Sequence, residues 1–266
     1  DVTKEAGLVQ DLLTVTTGVS TADINKDGFI DIFITTIAAQ KEKSSKIKTL
    51  SNNLLYLNTG EGTFIEKTEE YGLKDKNFST SCSFGDINAD GYPDLFVANY
   101  FKEFYFEQAL FGTHNLAILN HYTINEEYEP GNDELYLNIG GKSFKNVSNF
   151  LKCNPGYGFG AVFTDVDNDS DLDIYLVNDF GENNEPNQIL INQYPKLDFE
   201  NKSEDLKLNV GLKSMWVVIG DYNNDSYLDY HVTNIFAVPF LVNRGKDKSF
   251  VNLAPNIGTG INKIEG

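Results

Sequence analysis

The stretch "DINKDGFIDIFI" (residues 23–34) places three aspartates, an asparagine and a glycine within nine residues and then continues as an apolar strand. Three other stretches follow the same frame: "DINADGYPDLFV" from Asp86, "DVDNDSDLDIYL" from Asp165 and "DYNNDSYLDYHV" from Asp221. Numbered from its first aspartate, the frame has Asp at position 1, Asp or Asn at 3, Asp at 5, Gly or Ser at 6, and Asp at 9. Four copies in one register indicate a repeated structural unit.

The side chains of the frame suit a hard cation. Calcium binds roughly 6–8 oxygen atoms and accepts carboxylates, amide oxygens, a main-chain carbonyl and water. Positions 1, 3, 5 and 9 supply side-chain oxygens, and the main chain near position 7 supplies a carbonyl. The predicted metal ligands are Asp23, Asn25, Asp27, Phe29, Asp31, Asp86, Asn88, Asp90, Tyr92, Asp94, Asp165, Asp167, Asp169, Asp171, Asp173, Asp221, Asn223, Asp225, Tyr227 and Asp229. About four Ca²⁺ ions are therefore expected as cofactors.

Other metal-binding schemes fit the frame less well. Magnesium prefers a compact octahedron and retains its waters, and soft metals require Cys or His ligands, which the frame lacks. An EF-hand needs a glutamate at position 12 and flanking helices, whereas position 12 is apolar in all four frames and a β-rich segment follows. Gly28 permits a positive φ at position 6. Ser170 and Ser226 at the same position are expected to strain their loops or weaken cation binding.

A second repeated element lies between the frames. "NNLLYLNTGEGTFIEKTEEYGL" (52–73) matches "NDELYLNIGGKSFKNVSNFL" (132–151), and similar segments occupy 187–208 and 240–258. Each has a short strand ending in Asn, a polar turn and a strand centred on Phe, while a strand of small residues precedes each frame. The repeat is thus strand A, loop, strand B, connection, strand C, turn and strand D. Four antiparallel strands at this period predict an all-β fold made of β-propeller blades, with a solenoid as the weaker alternative.

The whole chain, 1–266, is interpreted as a single β-propeller domain or part of one. The predicted units are the end of a preceding blade (1–8), blade 1 (14–73), blade 2 (79–151, with an insertion at 99–131), blade 3 (157–208), blade 4 (214–258) and the start of a further blade (259–266). "DVTKEAGL" resembles the close of strand D in "FIEKTEEYGL", although all four repeats already have their own strand D. An arc of a larger ring of six to eight blades is therefore expected, with a closed four-bladed ring as the alternative.

These motifs resemble a known family over nearly the whole chain. "DINKDGFIDIFI" with "LYLNTGEGTFIEKTEEYGL" is similar to the FG-GAP/VCBS repeats of integrin-alpha-like propellers. The succession of "NDFG", "LYLN" and a closing "GL" is most similar to the branch associated with ASPIC/UnbV proteins. The resemblance implies a calcium-loaded propeller, usually extracellular, that works in adhesion or as a scaffold. It implies neither a particular ligand nor an enzymatic activity.

Charge and composition restrict the partners. The net charge of −18 weighs against nucleic acid and anionic membranes, and four bound Ca²⁺ would leave about −10. The sequence has no apolar run long enough for a transmembrane helix, so no membrane insertion is expected. Loops of this kind fill with calcium outside cells, which predicts an extracellular, secreted or cell-surface protein, with the periplasm also suitable. Asn77, Asn146 and Asn201 are then candidate glycosylation sites.

Binding specificity is expected outside the loops. The long B–C connection of blade 2 carries aromatic and histidine side chains that could bind a partner; packing of the insertion on the propeller is the alternative. The candidate partner-binding residues are Phe104, Tyr105, Phe106, His114, His121 and Tyr122. Trp216 is expected in the core or lining the channel, with carbohydrate stacking as the alternative. Cys82 and Cys153 are too few for a disulfide framework, and a mutual disulfide and two buried thiols both stay open.

The expected function is a calcium-stabilised extracellular binding, adhesion or scaffold module with a protein or glycan ligand. No catalysis of its own is expected, because a catalytic carboxylate pair repeated four times has no chemical purpose. The sequence also lacks the G-x-S-x-G, H-E-x-x-H and phosphate-binding glycine motifs. Two alternatives stay open: a structural subunit that assembles with copies of itself into a surface layer or fibre, and the scaffold domain of a secreted enzyme.

Overall fold

The structure is a computed structural model of the 266-residue chain and describes residues 3–8, 14–38, 52–74, 77–102, 129–235, 237–245 and 249–257. These residues form four antiparallel sheets of four strands each, and helix is limited to single turns. The prediction of an all-β fold built from four-stranded blades, with the nine-residue frames between strands A and B, is confirmed.

Each sheet is one blade, and its strands are adjacent in chain order from A to D. Blade 1 contains β1 (Thr14–Ala22), β2 (Asp31–Ala38), β3 (Leu54–Asn58) and β4 (Phe64–Glu66). Blade 2 contains β5 (Phe78–Gly85), β6 (Asp94–Phe101), β7 (Glu134–Asn138) and β8 (Phe144–Asn146). Blade 3 contains β9 (Tyr157–Thr164), β10 (Asp173–Asp179), β11 (Gln188–Asn192) and β12 (Phe199–Asn201). Blade 4 contains β13 (Ser214–Gly220), β14 (Asp229–Asn234), β15 (Phe240–Asn243) and β16 (Phe250–Asn252). Short helical turns follow strand D at Ser148–Phe150, Ser203–Leu206 and Ala254–Ile257.

The frame occupies the same place in every blade. Position 9 is the first residue of strand B and pairs with the last residue of strand A. The four pairs are Ala22 with Asp31, Gly85 with Asp94, Thr164 with Asp173, and Gly220 with Asp229. Each frame is therefore a tight A–B turn with a fixed register, so the four sets of acidic side chains are built on one backbone geometry.

The described residues form three hydrophobic core clusters, each between two successive blades. Alternate residues of a strand face opposite sides of its sheet, so a central blade needs apolar residues on both sides. In β6, Leu95 and Val97 pack toward blade 1, whereas Phe96 and Ala98 pack toward blade 3. This two-sided burial explains why strand B is a continuous apolar run rather than an alternating one. The innermost strands β1, β5, β9 and β13 are neighbours in that order.

The described blades form an arc whose last face is open. Position 2 of the frame is covered by the next blade in blades 1 to 3, where Ile24, Ile87 and Val166 are at most 3% exposed. Its counterpart in blade 4, Tyr222, is 49% exposed. On the same blade Val218 is 62% exposed. The face of blade 4 that points away from blade 3 thus has the composition of an interface between blades, but it is exposed in the described part of the chain.

Residues 3–8 have the geometry of the turn that closes blade 1. Leu8 N donates to Thr3 O at 3.0 Å, as Leu73 N donates to Thr68 O at 3.0 Å. The carbonyl of Ala6 accepts a hydrogen bond from Phe64 N in β4, just as that of Tyr71 accepts one from Phe144 N in β8. Residues 3–8 therefore contact β4, the outermost strand of blade 1, in the same way that the end of blade 1 contacts β8 of blade 2.

The residue before strand C caps the end of strand B in three blades. The acceptor and donor pairs are Asn53 Oδ1 with Thr36 N (3.1 Å), Asp133 Oδ1 with Asn99 N (2.8 Å) and Asn187 Oδ1 with Asn178 N (2.9 Å). Asp133 is thus a carboxylate at a position where two sister blades have an amide. Its Oδ2 is buried without a hydrogen-bond donor among the described residues, and burial raises the pKa of this carboxyl to about 7.

Candidate cation-binding loops

The four frames, here called loops 1 to 4 (residues 23–31, 86–94, 165–173 and 221–229), share one hydrogen-bond network. The carboxylate at position 1 accepts hydrogen bonds from the main-chain N–H groups of positions 5 and 6, at 2.7–3.1 Å. The carboxylate at position 5 accepts one from the N–H of position 7, at 2.8–3.1 Å. The main chain is therefore folded around aspartate oxygens in the same way four times.

Position 9 carries the most buried carboxylate of each loop. Asp31, Asp94, Asp173 and Asp229 are at most 2% exposed. One oxygen accepts from the N–H of position 2 and the other from the N–H of an asparagine at the end of strand C. Burial raises the pKa of all four carboxyls, to about 7 for Asp94 and about 8 for Asp173, against the opposing effect of these hydrogen bonds. A cation beside position 9 would offset the unfavourable electrostatics.

Loop 3 has the highest charge, with five aspartates where each sister loop has three. Carboxylate oxygens of Asp165, Asp167 and Asp173 lie within 4.8 Å of one another, so a single ion could contact all three. Among the described residues, Asp171 Oδ1 is buried without a hydrogen-bond partner, and burial, with the charge of Asp169, raises the pKa of Asp171 to about 6. Oxygen-only donors with this much negative charge fit Ca²⁺. The residues present therefore suit the predicted ion.

The loops require left-handed backbone at two positions. Position 6 has φ between 70° and 88° in all four loops, at Gly28, Gly91, Ser170 and Ser226. The two serines thus adopt the conformation that costs an L-residue energy, as predicted. Position 4 also has a positive φ of 55–60°, at Lys26, Ala89, Asn168 and Asn224. This second position was not predicted; the asparagines of loops 3 and 4 were its only sequence signal.

The side chain at position 7 packs on the turn between strands C and D. A Cβ atom added to the turn glycine would lie 2.6–3.2 Å from a ring carbon in three blades. The glycine and ring pairs are Gly60 with Phe29, Gly141 with Tyr92, and Gly245 with Tyr227. In blade 3 the glycine turn is replaced by "NQYPK" and the ring by Asp171. Loop 3 therefore has an additional carboxylate where the sister loops have an apolar contact.

The asparagine that ends each strand C connects loops of different blades. Its main-chain N–H donates to position 9 of its own blade, as described above. In blades 2 to 4 its side-chain amide donates to the position-2 carbonyl of the preceding loop. The pairs are Asn138 with Ile24 (2.8 Å), Asn192 with Ile87 (2.8 Å) and Asn243 with Val166 (3.2 Å). The repeated asparagine is visible in the sequence, but its partner on another blade was not predicted.

A family model described as FG-GAP-like repeat matches residues 23–97 and 165–232, together more than half of the chain. Each match begins at position 1 of a loop and extends into strand B of the next blade. The chain belongs to the FG-GAP-like repeat family. The family resemblance deduced from the frames is thereby confirmed, while the narrower ASPIC/UnbV branch stays a prediction. No match was found among curated proteins.

Two solved structures resemble this FG-GAP-like chain at low sequence identity. One is a lectin of Agrocybe aegerita, described as recognising non-reducing terminal N-acetylglucosamine, with 13% identity and a TM-score of 0.42 over 92% of this chain and 66% of the lectin chain. The other is the rhamnogalacturonan lyase YesW, with 10% identity and a TM-score of 0.47 over 89% of this chain and 42% of the lyase chain. The FG-GAP-like chain spans less than two thirds of either structure.

The predicted partner-binding residues Phe104, Tyr105, Phe106, His114, His121 and Tyr122 lie outside the described residues. The base of this connection is described. Lys102 N donates to Glu129 O, and the two side chains form an ion pair at 2.7 Å. Gly131 N donates to Tyr100 O. The connection therefore leaves and re-enters blade 2 at one place.

The candidate glycosylation sites differ in how their side chains are engaged. Asn201 Nδ2, the atom that a glycan would modify, donates to Gln188 Oε1 at 2.9 Å, so modification would break this bond. Asn146 is exposed, and its Oδ1 accepts from Ser148. Asn77 lies just before β5 and is partly exposed.

Three further side chains of interest can be placed. Cys82 and Cys153 are free thiols, which excludes the alternative of a disulfide between them in this structure. Burial raises the pKa of both to about 12. Trp216 lies on the innermost strand β13, is 40% exposed and packs its ring on Gly160 of β9. Trp216 is therefore partly exposed on the innermost strand rather than enclosed in the core.

Proposed function

We propose that the chain is a calcium-stabilised β-propeller module that acts by binding or as a scaffold, without catalysis of its own. The observation that carries this proposal is the carboxylate arrangement repeated in four loops, with three carboxylates of loop 3 within 4.8 Å of one another. A group used for catalysis would not need four copies with the same hydrogen bonds. We therefore assign the acidic side chains as calcium ligands that stabilise the turns between strands A and B.

The proposed role of each loop residue follows from its place in the turn. Positions 1 and 5 order the main chain through their hydrogen bonds and supply oxygens to the ion. Position 9 joins the loop to strand C and supplies a buried carboxylate. Calcium, when bound, would supply positive charge beside the clustered carboxylates of each turn. Loop 3 is proposed as the tightest of the four sites, because its two additional carboxylates outweigh the backbone strain at Ser170.

We further propose an extracellular or cell-surface location and a protein or glycan ligand, or further copies of the chain. Loops with this ligand set bind calcium at concentrations found outside cells. Among the described residues, no helix is both long and apolar enough to cross a bilayer. The B–C connection of blade 2 is the proposed ligand-binding segment, because it rises from a rigid sheet at a single point.

The arc is proposed to be part of a larger ring of six to eight blades. Residues 3–8 sit on β4 as the closing turn of blade 1 sits on β8. At the other end, Tyr222 is exposed at a position that is buried in the three preceding blades. Electron microscopy of the protein purified from its natural source would count the blades. A closed ring of four blades would contradict the proposal.

Calcium removal tests the central proposal. A single site held at 100 times its Kd stabilises the fold by about 2.7 kcal/mol, which corresponds to a Tm increase of roughly 8 °C for a chain near this size. Differential scanning calorimetry in EDTA, in excess Mg²⁺ and in excess Ca²⁺ should therefore give the highest Tm with Ca²⁺. Titration calorimetry should detect binding, and Asp167→Asn should weaken it while Glu61→Gln, outside the loops, should not. Equal melting curves in EDTA and Ca²⁺ would refute the calcium proposal.

Ligand binding requires a separate measurement. Glycan arrays and affinity capture from extracellular extracts should each be run with Ca²⁺ and with EDTA. A ligand retained only with Ca²⁺ would support the binding function. Loss of that ligand on deletion of residues 103–128, with an unchanged Tm, would assign it to the blade 2 connection. Turnover of a bound glycan would contradict the absence of catalysis.

A further inference from the structure

The asparagine at the end of strand C lies between two successive loops. In blade 3, the main-chain N–H of Asn192 donates to Asp173 Oδ1 of loop 3 at 2.9 Å. Its side-chain Nδ2 donates to Ile87 O of loop 2 at 2.8 Å and to Leu172 O at 3.2 Å. Asn192 is only 4% exposed, so water is not available to replace these bonds. One residue therefore bonds to the loop of its own blade and to the loop of the blade before it.

Blades 2 and 4 repeat this arrangement, and blade 1 provides the contrast. Asn138 and Asn243 are 1% and 2% exposed, and each donates to the position-2 carbonyl of the preceding loop. Asn58 has the same main-chain bond to Asp31 Oδ1, at 2.9 Å. Its Nδ2, however, donates to Ile30 O of its own blade at 3.1 Å. Asn58 is thus a natural control that lacks the connection between blades within the described residues.

Both main-chain polar groups of the residue at position 2 are hydrogen-bonded. Ile87 N donates to Asp94 Oδ2 of its own loop at 3.0 Å, and Ile87 O accepts from Asn192 of the next blade. Ile87 lies between Asp86 and Asn88, which are two of the proposed ligands. The direction in which these ligands project therefore depends on the contact with blade 3. Holding ligands in place before an ion arrives reduces the free-energy cost of ordering them on binding.

We propose that Asn138, Asn192 and Asn243 are positioning residues that couple cation binding in each loop to the packing of the next blade, an inference that rests on the proposed calcium function. Each asparagine orients the loop before it, so loss of its amide weakens cation binding one blade away from the substitution. Coupling between two sites is reciprocal. A cation in loop 2 therefore also tightens the contact between blades 2 and 3.

Direct contacts also join two pairs of successive loops. Lys26 Nζ of loop 1 lies 4.1 Å from the centre of the Tyr92 ring of loop 2. Asn168 Nδ2 of loop 3 donates to Ser226 O of loop 4 at 3.0 Å. These contacts join loop 1 to loop 2 and loop 3 to loop 4, in addition to the asparagine amides.

The test uses hydrogen exchange measured by mass spectrometry as a function of Ca²⁺ concentration. Peptides covering each loop give a separate calcium midpoint for each site. In Asn192→Ala, the midpoint for residues 86–94 should rise roughly fivefold or more, whereas the midpoint for 23–31 should not move. Asn138→Ala should shift residues 23–31, and Asn243→Ala should shift residues 165–173. The control Asn58→Ala should leave the midpoints of 86–94 and 165–173 unchanged.

The outcomes separate the coupling from the proposed function. If the unmodified protein shows no calcium-dependent protection in any loop, the calcium function itself is wrong. If protection is present but each variant leaves the preceding loop's midpoint unchanged, the positioning role is wrong and the calcium function stands. An equal shift in all four loops would indicate general destabilisation and would also overturn the inference. If Asn192→Ala does not fold, Asn243→Ala in the last blade gives the same test for loop 3.

Discussion

Replacing Asp133 by Asn should stabilise the protein at neutral pH and above. Asp133 is 5% exposed and accepts one hydrogen bond, from Asn99 N, while the corresponding residues of blades 1 and 3 are Asn53 and Asn187. Burial raises its pKa from the usual 3.8 to about 7. The folded protein therefore binds more protons than the unfolded chain between pH 4 and 7. Stability falls as the pH rises through that window, and asparagine removes this loss.

The magnitude follows from the pKa difference and from the new amide. The interval from 3.8 to about 7 corresponds to roughly 4 kcal/mol above pH 7. Asn53 donates its amide hydrogen to Ser79 Oγ at 3.0 Å, but Gly158 stands at the equivalent place beside residue 133. A buried amide without this acceptor costs about 1–3 kcal/mol. The net gain expected for Asp133→Asn is therefore about 1–3 kcal/mol, or a Tm increase of roughly 5 °C.

The assay is chemical denaturation of both proteins from pH 4 to pH 8, in saturating Ca²⁺ so that the loop carboxylates stay in one state. The stability of Asp133→Asn relative to the unmodified protein should rise by roughly 4 kcal/mol across this range. The variant should be less stable near pH 4, where only the cost of the buried amide remains, and more stable above pH 7. Asn187→Asp is the reverse control: it removes the hydrogen bond to the Tyr175 hydroxyl and buries a carboxylate, so its stability should fall with rising pH. A pH-independent difference for Asp133→Asn would refute the reasoning, because the buried charge is its only source of pH dependence.

Two other predictions concern the backbone strain in the loops and the thiols. Ser226→Gly should raise the free energy of unfolding by about 1 kcal/mol, because Ser226 has φ 70° where loops 1 and 2 have glycine. Urea denaturation measures this free energy. The reverse substitution, Gly28→Ser, should lower it. No change in either variant would indicate that the serine φ carries no strain. Cys82 should react with a thiol reagent only after unfolding, because its thiol is buried and burial raises its pKa to about 12. Cys153 is only half-buried, so it should react in the folded protein, but more slowly than a free thiol because its pKa is also raised to about 12. Fast labelling of the folded protein would contradict this expectation.

The sequence by itself determined the unit of the fold and the chemistry of its turns. Asp at positions 1, 5 and 9 recurs in four frames, because each aspartate has a local task. Position 1 accepts from positions 5 and 6, and position 5 accepts from position 7. Such bonds span only a few residues, so their pattern is legible in a linear sequence. The small residues of strand A and the apolar run of strand B are also visible in the sequence, because both are contiguous segments.

Only the tertiary structure decided which residues connect one blade to the next. Asn192 and Ile87 are 105 residues apart, and no local sequence pattern in either segment predicts their contact. The same holds for Asp133 and for Gly158 of the neighbouring blade, which lies beside it. Contacts between blades depend on how whole sheets stack, and stacking brings together positions with no fixed spacing in the chain. The sequence therefore determines the four turns, whereas their mutual dependence arises from the packing of the blades.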